Sequence, residues 1–389
     1  MIYSFLFVTI AFILTRNFPL SMLTPISNIC VLILSIIGFI HWFKNEDKFI
    51  GVLFLILTCF ALYSVLVLGN EPIFVIRFYI ILISLLCVHF IPFNSLKSLN
   101  IVLYLYVIQG LVVISLSLYL YLTWETSDYI PIRLWFQGNG FGDVYTYGNG
   151  FFRVQIKGNA LIPFFAMISN HLYDLTKIKK YKRIEIFLLI ATIFAGNFMF
   201  LIGSAFYYVC RFIMKTNYFN RVKGVKNICF LFLLVLFVPV AMNYAVNVIE
   251  RKSAAGDQSS IGIRFDQADV LLTDMSNNVF TTLTGKGLGH TLKIVTPSRD
   301  YTGDIYFEVQ TLYFLNQTGF VLLILYILAL FYLYRRFMYF EYSGLIYLSY
   351  IGYAISNPYI FDTNHLVVIM TLCSINRIVK NKKSSKRSN

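Results

Sequence analysis

Charge is scarce in this chain. Asp, Glu, Lys and Arg supply 13% of its 389 residues, against a hydrophobic content of 58% and a mean hydropathy of +0.71. That balance excludes an ordinary soluble globular protein. Cysteine is missing where crosslinks would form. All six (Cys30, Cys59, Cys87, Cys210, Cys229, Cys373) fall in apolar stretches, which argues against a disulfide framework and for buried small hydrophobes. No CxxC or HExxH pattern occurs and the five histidines are scattered, so the spacing offers no metal site and points to no cofactor. Internal repeats and low-complexity linkers are also absent. The first apolar run lacks both a basic start and a small-residue cleavage site, so it reads as an uncleaved helix rather than a signal peptide.

What the chain does have is a series of apolar runs long enough to cross ~30 Å of hydrocarbon. Spans are expected at 2–15, 24–43, 49–68, 73–92, 99–122, 160–175, 184–199, 201–214, 228–246, 311–334, 343–357 and 364–379. This describes an all-α polytopic membrane protein of about twelve transmembrane helices, a single integral domain over 1–389. The seventh and eighth spans are short and read also as two half-helices meeting at Gly203-Ser204. Lipid leaves only helices or closed barrels available to the backbone.

Basic residues mark one side. Lys44 and Lys48, Lys97, the cluster from Lys177 to Arg183, Lys215 to Lys226, Arg335 and Arg336, and the tail at 380–389 fall in alternate connections. Two long loops differ. In 123–159, Arg133, Arg153 and Lys157 balance Glu125, Asp128 and Asp143, and in 247–310 the acids outnumber the bases. By the positive-inside rule the basic connections and both termini are cytoplasmic and the long loops face outward. Topology thus accounts for the formal charge of +14, and no nucleic-acid partner is needed.

The outer loops carry the candidate chemistry. The repeated GNG of the first loop reads as local turn chemistry. In the second, Ile261, Phe265, Ala268, Leu272 and Met275 recur at helical spacing, predicting an amphipathic helix over 261–276 with Arg264, Asp266, Asp269 and Asp274 off its apolar face. TGKGLGH follows, either as a plain tight turn or as backbone N–H groups open to an anion.

Guanidinium matches phosphate oxygens in bidentate fashion, so Arg153 and Arg264 are candidate pyrophosphate ligands, or else members of surface ion pairs. Arg77 lies inside the fourth span, where it snorkels toward Glu71 or forms a cationic wall of a cavity. Glu308 and His290 are alternative general bases. Glu308 reads equally as a carboxylate favourable to a helix N-terminus, and His290 as a plain loop histidine. The aromatics Trp124, Tyr129, Trp135, Phe141, Tyr145 and Tyr147 suit an interfacial belt or stacking on sugars.

Four segments resemble the Wzy-type O-antigen polymerases and the related ligases. FFRVQIKGNALIPF (151–164) is similar to their loop arginine followed by Gly-Asn. FLIGSAF (200–206) is similar to a short Ser-containing turn. IGIRFDQADVLL with TGKGLGH resembles the arginine, helix and Gly-x-Gly segment of their large periplasmic loop. YFEVQTLYFLNQTGF (306–320) resembles the returning helix with its late glycine, Gly319. The resemblance implies metal-independent, inverting glycosyl transfer from undecaprenyl-pyrophosphate-linked oligosaccharides, with a chain-length regulator as a possible partner. It implies that Arg153 and Arg264 neutralise the leaving diphosphate, supported by Arg77. Ligases of this group place a histidine where this chain has Phe307-Glu308, which disfavours ligation. The usual Ser-Arg pair reads Ser204-Ala205, so Ser204 receives no role. A flippase or secondary transporter is the reading from another class, but such proteins carry ionisable residues at mid-membrane, often in two matching halves.

Overall fold

A computed structural model describes residues 2–45, 47–87, 95–125, 129–146, 152–216, 260–276, 278–296, 300–305, 307–355 and 359–385. The chain is mostly helical. Its elements are α1 (Ile2–Arg16), α2 (Thr24–Asn45), α3 (Lys48–Leu66), α4 (Pro72–Cys87), α5 (Leu96–Thr123), α6 (Ile130–Gly138), β1 (Gly142–Thr146), β2 (Phe152–Ile156), α7 (Ile162–Thr176), α8 (Lys179–Phe194), α9 (Phe198–Thr216), α10 (Ser260–Ser276), α11 (Val279–Thr284), α12 (Gln310–Leu333), α13 (Ser343–Ala354) and α14 (Thr363–Ser385). Among the described residues, five helices are long and apolar enough to cross a membrane: α2, α3, α5, α9 and α12 with its extension to Met338. The apolar helices within α1 and α4 are shorter. The expected ninth span, 228–246, lies outside the described residues.

The bundle packs around α7, whose residues Ile162 to Ser169 are all buried. Pro163 opens this helix at a position where its missing N–H costs nothing. The Phe165 ring stacks on Tyr106 of α5 with centroids 4.3 Å apart. The two ends of the bundle are chemically distinct. At one, Asp47 accepts from Tyr332 and Arg336, Asp174 pairs with Arg211 and Lys215, and Lys382 donates to the Leu175 carbonyl. The other end carries both long loops and the Arg16–Asp362 pair at 2.8 Å.

Three details depart from expectation. The first loop holds more than turns: the turn at the first GNG follows α6 and leads to an antiparallel strand pair in which Tyr145 pairs with Arg153, while the second GNG, 148–150, lies outside the described residues. The break between the seventh and eighth spans falls at Ala195-Gly196-Asn197, and Gly203 and Ser204 lie inside α9. FLIGSAF is therefore helix rather than turn. Gly196 makes the break because its φ is +63° and an added Cβ would sit 2.5 Å from Arg153 Cγ.

The third departure is the face of α10. Gln267, Val270, Leu271 and Met275 are buried, with Asp274 at their edge, while Phe265 is 73% and Leu272 45% exposed. The buried stripe still runs at i, i+3, i+4 and i+8, but it is rotated from the purely apolar one. It turns toward partners for two polar side chains, because an unpaired buried carboxylate or amide is costlier than an exposed Leu.

The hairpin also descends into the bundle. Ser117 of α5 donates to the Phe152 carbonyl (2.9 Å), and Gln109, further down the same helix, donates to the Lys157 carbonyl (2.9 Å). Those two contacts are about 12 Å apart along α5 at 1.5 Å per residue. Irregular backbone at that depth needs protein partners. Gln109, Asn159 (to the Val154 carbonyl, 2.8 Å) and the Tyr353 hydroxyl (to the Ala160 carbonyl, 2.8 Å) supply them.

Candidate active site

Period-2 alternation positions the first arginine. In FRVQI, Phe152, Val154 and Ile156 are buried, which leaves Arg153 and Gln155 on the other face of β2. Across the strand pair lies Tyr145, whose ring has the Arg153 guanidinium at 5.9 Å and the Arg133 guanidinium at 4.2 Å. Arg133 is held by Asp143 through two hydrogen bonds, 2.9 and 3.2 Å. The Tyr145 hydroxyl is pushed up to about 12. Burial comes first among the causes, then its hydrogen bond to Asp143 and the charge of Asp143, with Arg133 opposing and Glu308 adding. It is therefore a protonated phenol at physiological pH.

The second loop reaches the same place. Arg264, on the first turns of α10, donates through Nε to Glu308 Oε2 at 2.8 Å. Glu308 precedes α12, and its backbone N–H donates to Gln267 Oε1 at 2.9 Å; Val309 N–H does so at 3.4 Å. Gln267 is 1% exposed and ties the start of α12 to α10. Glu308 is also the last and weakest of the charges felt by the Tyr145 hydroxyl, after Asp143 and Arg133. Arg153 beside Tyr145 and Arg264 beside Glu308 come from separate loops. The Arg264–Glu308 side chains are 36% and 39% exposed, so the pair contributes only ~0–1 kcal/mol to stability. Beside the hairpin, a cavity of about 480 Å³ opens between α5 and α6, lined by Leu116, Leu120, Trp124, Ile132, Trp135 and Phe136 among others.

His290 and Arg77 are elsewhere. His290 Nε2 lies 3.0 Å from Asp274 Oδ2, which also accepts from Asn316 Nδ2 (2.9 Å), while Asp274 Oδ1 faces Lys286 Nζ at 3.7 Å. Asp274 and Arg264 are about 15 Å apart along α10. Burial alone would raise the Asp274 carboxyl. Hydrogen bonds from His290 and Asn316 and the charges of His290 and Lys286 outweigh it and hold the group below its usual range. Arg77 is exposed on α4, and its charge is felt by Tyr313, whose hydroxyl donates to the His290 carbonyl at 2.5 Å. Arg77 thus lies on the helix against which the turn before His290 packs, Gly289 meeting Phe74 and Val75.

TGKGLGH is a closed turn, not an open anion nest. Lys286 N–H and Gly287 N–H donate to the Asn316 and Gln317 carbonyls (2.9 Å each). Leu288 N–H donates to Ser64 Oγ (2.9 Å) and Gly289 N–H to Gln317 Oε1 (2.8 Å). The turn docks against a break in α12 at Gly319, where φ is +64°. Comparison of the chain with protein-family models, with curated proteins and with solved structures gives no match. The sequence placed Tyr145 among residues of an interfacial belt or of sugar stacking and Asp274 off the apolar face of its helix, and it did not single out Gln267. The cross-strand alternation of FRVQI and the i, i+3, i+4 stripe through Gln267 and Asp274 were the signals available for them.

Proposed function

We propose that this chain is a polytopic inner-membrane glycosyltransferase that polymerises undecaprenyl-pyrophosphate-linked oligosaccharide repeat units into O-antigen or a similar surface polysaccharide. Both termini are cytoplasmic and the two long loops face the periplasm. The observation that carries this reading is that the two long loops present Arg153 beside Tyr145 and Arg264 paired with Glu308.

The chemistry follows from that group. A donor diphosphate entering between the guanidiniums competes with Glu308 for Arg264. A diphosphate offers the guanidinium several anionic oxygens and bidentate pairing, where Glu308 offers a single oxygen to Nε, so the diphosphate displaces the carboxylate. Glu308 is then free to take the proton of the acceptor hydroxyl as that oxygen bonds to the donor's anomeric carbon. The carbon–oxygen bond to the diphosphate breaks, and the departing anion stays neutralised by Arg153 and Arg264. The neutral Tyr145 phenol is a further donor to it. The apolar cavity between α5 and α6 suits the lipid chain of the donor. His290, grouped with Asp274 about 15 Å along α10 from Arg264, is the less favoured base.

The test is a lipopolysaccharide gel from a host deleted for the gene and complemented with variants. Core plus one repeat unit, with the ladder restored by the wild type but not by Arg153→Ala or Arg264→Ala, supports polymerisation at this site. Bare core in the deletion would point to ligation or flipping. A full ladder from either arginine variant at normal membrane abundance would sink the site.

A further inference from the structure

The six-residue helix α11 has no buried residue: Val279 is 76%, Phe280 58% and Leu283 46% exposed. From Met275 to Gly285 the chain contains no charged side chain, although this is the polar loop. The flanking charges, Asp274 and Lys286, face each other at 3.7 Å. The three threonines of α11 keep their hydroxyls on nearby backbone. Thr281 and Thr282 donate to the Met275 and Asn278 carbonyls, and Thr284 donates to the Phe280 carbonyl at 2.9 Å. Those bonds satisfy the hydroxyls within the segment, as a hydrocarbon setting requires.

Depth is set by backbone contact. Gly285, just after α11, approaches Gly319 so closely that a Cβ on either would lie 2.5 Å from the other's nitrogen. The basic pair Arg335 and Arg336 marks the far end of α12. Counting ~30 Å of hydrocarbon back from it, at 1.5 Å per residue, reaches roughly residue 315. Gly319 therefore lies within the outermost turns of that layer, and α11 lies beside it. Just past Gly319 on α12, Phe320, Val321 and Ile324 are likewise 42%, 50% and 53% exposed.

We propose that α11 is a wedge seated in the outer leaflet of the bilayer, with Val279, Phe280 and Leu283 among the lipid chains, pinning the large loop to the membrane surface. The proposal rests on α12 spanning the membrane and is independent of the reaction assigned above. Its consequence is positional: the Asp274–His290–Lys286 group, joined to both ends of the wedge, is held at the lipid–water boundary.

The test uses the full chain with its six cysteines replaced, reconstituted in phosphatidylcholine vesicles. An environment-sensitive fluorophore is attached at Phe280→Cys and, separately, at Leu283→Cys. Phe320→Cys serves as the lipid-facing reference and Asp300→Cys as the aqueous one. Brominated acyl chains should quench positions 280, 283 and 320 by more than half and leave 300 unchanged, while aqueous iodide does the reverse. Quenching of 280 and 283 by iodide alone, with 320 still quenched by bromolipid, overturns the wedge and leaves α12 in place. Shielding from both quenchers means that protein covers α11, which also overturns it. Iodide quenching at 320 removes the spanning reading and the proposal with it.

Discussion

In the proposed reaction Glu308, the carboxylate paired with Arg264, is the base. Glu308→Gln keeps the shape and removes the base. Polymerisation of purified lipid-linked repeat units should fall on the order of 10²-fold or more with membrane abundance unchanged. Wild-type turnover in that variant would transfer the role away from Glu308. Asp274 makes a prediction about stability. Its folded pKa lies below the unfolded carboxylate value, so its contribution is fully present above that value, near pH 4, and is lost as pH falls through the depressed folded pKa. Thermal unfolding of Asp274→Asn should therefore show less acid destabilisation below pH 4 than the wild type, and a lower melting temperature at pH 7. Identical pH profiles would mean that the ionised carboxylate does not stabilise the fold. The arginines were legible in the sequence because a guanidinium in a Gly-rich or amphipathic loop is conspicuous. Asp274 was not, since a carboxylate on a helix is ordinarily solvated, and only the burial of Gln267, Val270 and Leu271 beside it reveals the inward face.

Helices were legible as elements because apolar length alone announces them: the expected 24–43, 99–122 and 311–334 correspond to α2, α5 and α12 within a few residues. Short elements were not, since five-residue strands carry little pattern and the GNG repeats drew attention to turns. The break in α12 is an element-scale feature whose cause is a single atom. A Cβ at Gly319 would lie 2.3 Å from the Leu283 carbonyl oxygen, and its φ of +64° disfavours any L side chain by ~1–2 kcal/mol before that clash is counted. Gly319→Ala should lower the melting temperature in detergent and loosen the docking of the turn at 285–289, read as faster proteolysis of the second loop. An unchanged melting temperature would mean that the kink relaxes into straight helix. Gln109→Leu tests the buried end of the hairpin in the same way. The Lys157 carbonyl loses its partner, a cost of ~1–3 kcal/mol for an unsatisfied buried group. A variant as stable as the wild type would indicate that this carbonyl finds another donor.

At the scale of the molecule, the bundle has a loop end and a basic end, and every described long helix runs between them. α1 ends beside Asp362 and α14 ends beyond Leu175; α9 ends at Lys215 beside Asp174, and α12 ends at the basic pair facing Asp47. α10 then begins at the loop end, where Arg264 meets Glu308. The chain is thus at opposite ends on either side of 217–259, the stretch where the ninth span is expected from the sequence. If the basic end is cytoplasmic, the membrane potential and the anionic inner leaflet both favour that arrangement, and the arginines of the site open to the periplasm, where an exported lipid-linked sugar arrives. A single cysteine at Asp300, in otherwise cysteine-free protein, should react with an impermeant maleimide in spheroplasts. One at Ser384 should react only after lysis. Labelling of Ser384→Cys from outside would invert the molecule and put the site in the cytoplasm, which would remove the polymerase reading.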